Sequence, residues 1–103
     1  MGAESEIQNT VLAYLKYRRV FHWRQNSGAG IMKQGAGTRF IRFGVNGAPD
    51  IFAVKDGTIY GLEIKSKVGK QNDNQKEFQE GFEKAGGVYH IVRCLEDVQK
   101  IGL

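Results

Sequence analysis

The 103-residue sequence predicts one mixed α/β domain built around a single sheet. Three features lead there. Apolar residues at helical spacing open the chain, short β-prone runs separated by turn residues fill its middle, and a second helical stripe separates the last two of those runs. The length points to a single domain over residues 1–103.

The first helix is read over residues 4–19, where Ile7, Val11, Tyr14 and Leu15 fall on one face. Residues 20–25, with Val20, Phe21 and Trp23, read as a strand. Residues 27–37 hold four glycines and Lys33 and read as a flexible loop. Residues 38–43 alternate imperfectly and read as a short extra strand, and residues 44–49 as a turn. Residues 50–54 and 58–67 read as paired strands, because Asp56-Gly57 between apolar runs is a strong hairpin signal. A polar connection over 69–74 leads to a helix over 74–85, with Phe78, Phe82 and Ala85 on one stripe and Gly86-Gly87 as its stop. Residues 88–93 read as a strand and 95–101 as a short last helix.

Composition excludes several classes. No apolar run approaches the ~18–20 residues of a membrane helix, and the acidic start, Met1-Gly2-Ala3-Glu4, lacks a signal-peptide layout. The lone cysteine, Cys94, can form no internal disulfide and has no CxxC partner for zinc. It reads as a small buried hydrophobe in a reducing, cytoplasm-like compartment. His22 and His90 have no ligand spacing and read as ordinary strand residues. Charge is uneven: residues 1–47 carry seven basic and two acidic side chains, the remainder eight basic and nine acidic. A basic half of that kind suits a polyanion such as nucleic acid.

The hairpin concentrates the chemistry. With Asp56-Gly57 as a two-residue turn, Lys55 pairs with Thr58 and Asp50 falls opposite Glu63. Opposed carboxylates repel and destabilise a sheet, and Glu63 lies in an otherwise core-like strand. A divalent cation between them would offset that cost, since Mg²⁺ favours one or two carboxylates together with water and phosphate oxygens. Glu63 and Lys65, two apart, share a face, while Leu62 and Ile64 turn to the core. Gly61 is read as leaving open space on the polar face. Two carboxylates and an ammonium suit phosphodiester hydrolysis. An arbitrary E-x-K is more often a surface ion pair; the apolar strand and the opposed Asp50 set this one apart.

Pro49-Asp50 followed by Glu63-Ile64-Lys65 across a hairpin resembles the PD-(D/E)xK nuclease superfamily. More narrowly, the chain resembles a stand-alone VRR-NUC domain, similar to Holliday-junction resolvases. The resemblance is carried by Glu4-Ser5-Glu6-Ile7-Gln8, Trp23-Arg24-Gln25-Asn26-Ser27-Gly28, Gly47-Ala48-Pro49-Asp50, Leu62-Glu63-Ile64-Lys65, Gln75-Lys76-Glu77-Phe78 and Gly86-Gly87-Val88. It implies a restriction-endonuclease-like αβββαβ core, a central mixed sheet flanked by helices. It implies that Asp50, Glu63 and the Ile64 carbonyl bind Mg²⁺ or Mn²⁺ and that Lys65 is the catalytic lysine. A glutamate of the first helix often completes such sites. Glu4, on the face of Ile7, Val11 and Leu15, is chosen over Glu6; its other reading is a favourable charge in a first helical turn. Gln75 either reaches the metal-bound water or scissile phosphate, or is a surface amide. No role carries over to Arg93-Cys94.

Lys33, Arg39 and Arg42 either track a phosphate backbone or are solvated charges. Lys67 and Lys70 follow the lysine strand and are better placed near the scissile phosphate. Trp23 and Phe40 read as core packing ahead of base stacking. The resemblance further implies branched DNA, above all a four-way junction, as substrate, a homodimer as the working form, and a bacterial or phage-infected cytoplasm. The rival readings are a flap- or nick-directed or restriction-like nuclease, a non-catalytic DNA-binding module, and a purely structural subunit.

Overall fold

In the computed structural model the described residues are 2–25, 28–34, 37–43 and 45–103, with side chains described for 2–25 and 45–103. The elements run α1 (Ala3–Tyr17), β1 (Phe21–Arg24), β2 (Gly28–Gln34), β3 (Gly37–Phe43), β4 (Ile51–Lys55), β5 (Thr58–Ile64), α2 (Asp73–Lys84), β6 (Val88–Val92) and α3 (Leu95–Ile101). Four strands form one sheet in the order β1-β4-β5-β6, and β2 and β3 form a separate pair. The β1/β4 and β4/β5 pairings are antiparallel and β5/β6 is parallel. With the β2-β3 pair set aside, the order is the anticipated αβββαβ around a mixed sheet, followed by α3.

α1 ends at Tyr17, short of the expected residue 19, because Arg19 takes a left-handed φ of 59° and Val20 N–H returns to the Leu15 carbonyl. The hairpin turn is the type its residues favour: Asp56 (φ 52°) and Gly57 (φ 79°) both adopt positive φ, so the strand twist is preserved. Residues 28–34 correct the loop reading. Seven residues of β2 pair antiparallel with β3, Gly28 opposite Phe43 and Gln34 opposite Gly37. Pairing with β3 satisfies the backbone of a glycine-containing segment, where local propensity argued for a loop.

The sheet has two unlike faces. Ile51, Ala53, Leu62, Ile64 and Val92 point to one, against Val11 and Leu15 of α1 and Val98 of α3, and all are at most 1% exposed. On the other face Trp23 stacks on Phe52 at 5.3 Å, and Phe52 meets Phe82 at 5.8 Å and Phe78 at 6.3 Å, so aromatic contacts seat α2. Gly61 and Gly87 form the slot for Phe82. A Cβ on Gly87 would lie 2.5 Å from the Phe82 ring, and one on Gly61 would lie 2.8 Å from Pro49 Cγ and 3.2 Å from Phe82. The space expected beside Gly61 is thus filled by Pro49 and Phe82. Cys94 is exposed at the start of α3, not buried. Trp23 is 39% exposed, so it packs on Phe52 with one part of its ring and meets solvent with the rest. His22 is half-buried, with Nδ1 2.7 Å from the Val20 carbonyl.

Candidate active site

The site forms where β4 begins and β5 ends, on the face that carries α2. The β4/β5 register places Lys55 opposite Thr58 and Ile51 opposite Leu62. Asp50 lies one residue before that ladder. Its backbone carbonyl accepts from Gln25 N–H at 2.7 Å, and its side chain reaches across, with Oδ2 accepting from Ile64 N–H at 2.8 Å. The aspartate is therefore fastened to both neighbouring strands.

Glu63 is 3% exposed. Its Oε2 accepts from Gln75 Nε2 at 3.2 Å and lies 3.8 Å from Lys65 Nζ. Its Oε1 is buried and has no hydrogen-bond partner. Burial first, then the charge of the adjacent Asp50 carboxylate, push the Glu63 carboxyl from an ordinary 4.5 up to about 8, against the opposing pull of Lys65. Lys65 sits just past β5, 9% exposed, with its N–H on the Val92 carbonyl at 3.0 Å.

Gln75 is aimed by a capping box. Asn72 Oδ1 accepts from Gln75 N–H at 2.9 Å, and Gln75 Oε1 accepts from Asn72 N–H at 3.0 Å. With the amide oxygen occupied, only its NH₂ end is left for Glu63. Gln75 and Phe82 are two helical turns apart on one face, so the slot that holds Phe82 also holds Gln75 over the strand. The turn before Asp50 is matched to the same helix: at Gly47 (φ 79°) a Cβ would lie 2.2 Å from the Asn74 carbonyl oxygen. Only glycine allows this approach. Asn72, which sequence reasoning missed, was visible in the N-x-x-Q spacing before an aromatic stripe.

The first helix also reaches the site. Glu4 Oε2 accepts from Ser66 N–H at 3.3 Å, immediately after Lys65. Glu6 is exposed in the same first turn, where its charge favours the helix dipole. Arg93, also missed, fastens the following turn: Nη1 donates to the Ser66 carbonyl at 2.5 Å and to the Gly69 carbonyl at 2.8 Å. No sequence signal marked it, since both acceptors are backbone atoms far along the chain. Lys67 and Lys70 are exposed on the segment that Arg93 holds. Tyr89 of β6, buried opposite Gly61 in the β5/β6 register, has its phenol pushed up to about 12 by burial, and its hydroxyl accepts from Gln71 Nε2 at 3.1 Å.

Asp50, Glu63, Lys65 and Gln75 thus come together, with Glu4 at the rim. The side chains of Lys33, Arg39 and Arg42 lie outside the described residues. Among the described residues no three His, Cys, Asp or Glu side chains group to hold a metal; the Asp50 carboxylate lies close enough to act directly on Glu63. No described helix is long and apolar enough to cross a membrane.

No protein-family model matches the sequence, and no curated protein matches it. Among solved structures, one described as a VRR-NUC domain matches with a TM-score of 0.69 and 19% identity, over 98% of this chain and 95% of that one. At that identity the likeness shows the fold: the chain folds as a VRR-NUC domain, as its motifs implied.

Proposed function

We propose, from the VRR-NUC fold and the chemistry of its carboxylate pair, that the chain is a divalent-metal-dependent endodeoxyribonuclease. One observation carries the reading. Glu63 is buried beside Asp50 with Oε1 unpartnered, and its carboxyl is raised to about 8. The arrangement is costly to the metal-free protein, because burial and the Asp50 charge oppose ionisation of Glu63 and its Oε1 is buried without a partner. A hard cation fits the donor set: two carboxylate oxygens and the Ile64 carbonyl, the remaining positions falling to water and phosphate oxygens. Mg²⁺ or Mn²⁺ held by Asp50, Glu63 and Ile64 would polarise the scissile phosphate and acidify a water.

The chain's own residues then divide the work. Asp50 and Glu63 would supply the negative charge that retains a cation, with Glu63 losing its proton to solvent on binding. Lys65, with its ammonium 3.8 Å from Glu63, stabilises the negative charge that builds on phosphorus oxygens and orients the attacking water. Gln75, locked by Asn72, directs an N–H toward the same oxygens. Glu4 serves from the rim, where its carboxylate keeps the turn at Ser66 in place; with no group of three such side chains among the described residues, it would join the ion's ligands only by swinging inward from that turn. Lys67 and Lys70 contact the phosphates flanking the cut, and Lys33, Arg39 and Arg42 extend that contact.

The substrate we propose is branched DNA, with the four-way junction first and a homodimer placing two sites for paired cuts. The test is a cleavage panel of junction, flap, nicked and linear DNA in Mg²⁺ or Mn²⁺. Paired cuts in the junction alone, lost in Asp50→Asn and in Lys65→Ala, support the reading. Cuts in flaps or nicks alone favour a different nuclease. Salt-dependent binding without any cut in either metal leaves a DNA-binding module.

A further inference from the structure

Glycine is among the poorest residues for a helix interior, yet Gly81 sits inside α2. Its φ is not left-handed, and a Cβ there would meet no described atom within 4 Å. Neither backbone geometry nor packing within the described chain requires it. Gly61 and Gly87 differ, since each makes room for Phe82.

Gly81 instead forms part of the wall of an open cleft of about 480 Å³, with Asn46, Asn74, Glu77, Phe78 and Phe82. Positions 74, 77, 78, 81 and 82 make one stripe of α2 at helical spacing. The Phe78 and Phe82 rings stack on each other at 5.6 Å and 27° and line the cleft with apolar ring surface. Asn46 and Asn74 add amides, and Glu77 adds a carboxylate. No basic side chain is among the described lining residues. A phosphate would be repelled by Glu77, whereas a flat heterocycle with N–H donors would be held. The volume lies in the range of small-ligand sites.

The cleft and the carboxylate pair share a wall. Asn74 precedes Gln75, whose amide bonds Glu63. Asn46 lies in the segment leading to Asp50, and Gly47 of that segment packs on the Asn74 carbonyl. We infer that this cleft takes an unpaired nucleobase carrying an exocyclic amino group, cytosine above all, from a nucleotide next to the phosphodiester held at Asp50 and Glu63. The base lies against the phenylalanine surface and approaches the helix backbone where Gly81 has no side chain. Its amino group donates to Glu77, as carboxylates accept from cytosine N4, and the asparagine amides meet its ring nitrogen and carbonyl. This rests on the nuclease reading and narrows the substrate to DNA with an unpaired base beside the cut, as at a branch or bulge.

The test is binding of a single-stranded hexamer of deoxycytidylate against a hexamer of abasic sugars, with the intact protein in EDTA. Affinity is read by fluorescence anisotropy, and the Asn46 and Asn74 side-chain amides by NMR. The wild type should prefer the base-bearing hexamer by about tenfold or more, and both amides should shift with that hexamer alone. Gly81→Leu, which fills the cleft and replaces a poor helix former with a good one, should abolish the preference while Tm does not fall and sedimentation mass holds. Equal affinity for the two hexamers would overturn the inference, as would a preference that survives Gly81→Leu. A lower mass in Gly81→Leu would also overturn it, making the cleft an interface between two copies. Base preference without cleavage of any DNA would keep the cleft and remove the nuclease; cleavage without base preference would do the reverse.

Discussion

Removing the charge of Glu63 should make the metal-free protein more stable, and the gain should grow with pH. In the folded chain the Glu63 carboxyl holds its proton up to about 8, against 4.5 ordinarily. A raised carboxyl favours the native state while it is protonated in both states. That stability is present in full below the unfolded value and is lost as pH rises through the folded value, because unfolding releases the proton. At roughly 1.4 kcal/mol per unit of difference, the loss between about pH 5 and about pH 9 is on the order of 4 kcal/mol. At about 4 °C per kcal/mol for a domain of this length, Tm should fall by roughly 15 °C over that window. Glu63→Gln keeps the shape and the Gln75 contact but has no such proton. The assay is thermal unfolding followed by circular dichroism in EDTA, wild type against Glu63→Gln, at each pH. The difference between the two proteins should open progressively above about pH 5. Mg²⁺ should restore stability to the wild type most strongly at the alkaline end, where it binds the ionised native state. Parallel pH profiles for the two proteins would refute the placement of Glu63 as a buried, raised carboxyl.

Other substitutions probe how the site is held. Gly47→Ala puts a methyl 2.2 Å from the Asn74 carbonyl oxygen at a φ of 79°; it should cost at least about 2 kcal/mol in urea unfolding and lower cleavage further by parting Asp50 from Gln75. Asn72→Ala removes the capping box and should cost about 1 kcal/mol. It frees the Gln75 amide to flip, so cleavage rate should fall while DNA affinity holds, measured by single-turnover kinetics. Arg93→Ala removes two bonds to the turn that carries Lys67 and Lys70. Its cost should be on the order of 2 kcal/mol, and the affinity for DNA should weaken with a shallower salt dependence, read by anisotropy across a salt series.

The hairpin was legible in the sequence because its rule is local. Asp56-Gly57 dictates the turn, the turn dictates the register, and the register brings Asp50 to Glu63. Leu62 and Ile64 are buried on one face and Glu63 on the other, as alternation requires. Features decided at long range were not legible. Nothing near Gly61 announces that Pro49 and Phe82 will fill its side of the sheet. Residues 28–34 carry loop-like glycines, and only the pairing partner makes them a strand. Cys94 has a core-like residue type, but α3 begins beside it and turns it to solvent. Gln75 was read as either a site residue or a surface amide, and the choice depends on Asn72, three residues earlier, and on where Phe82 anchors the helix.

The most direct measurement is calorimetric titration of Mn²⁺ into the protein near neutral pH, in two buffers of different ionisation enthalpy. The wild type should bind the ion and release close to one proton for each ion bound, drawn from Glu63; Glu63→Gln and Asp50→Asn should bind at least about tenfold more weakly, with no such release. Equal Mn²⁺ affinity in all three proteins, or binding with no proton released from the wild type, would contradict a cation held between residues 50 and 63.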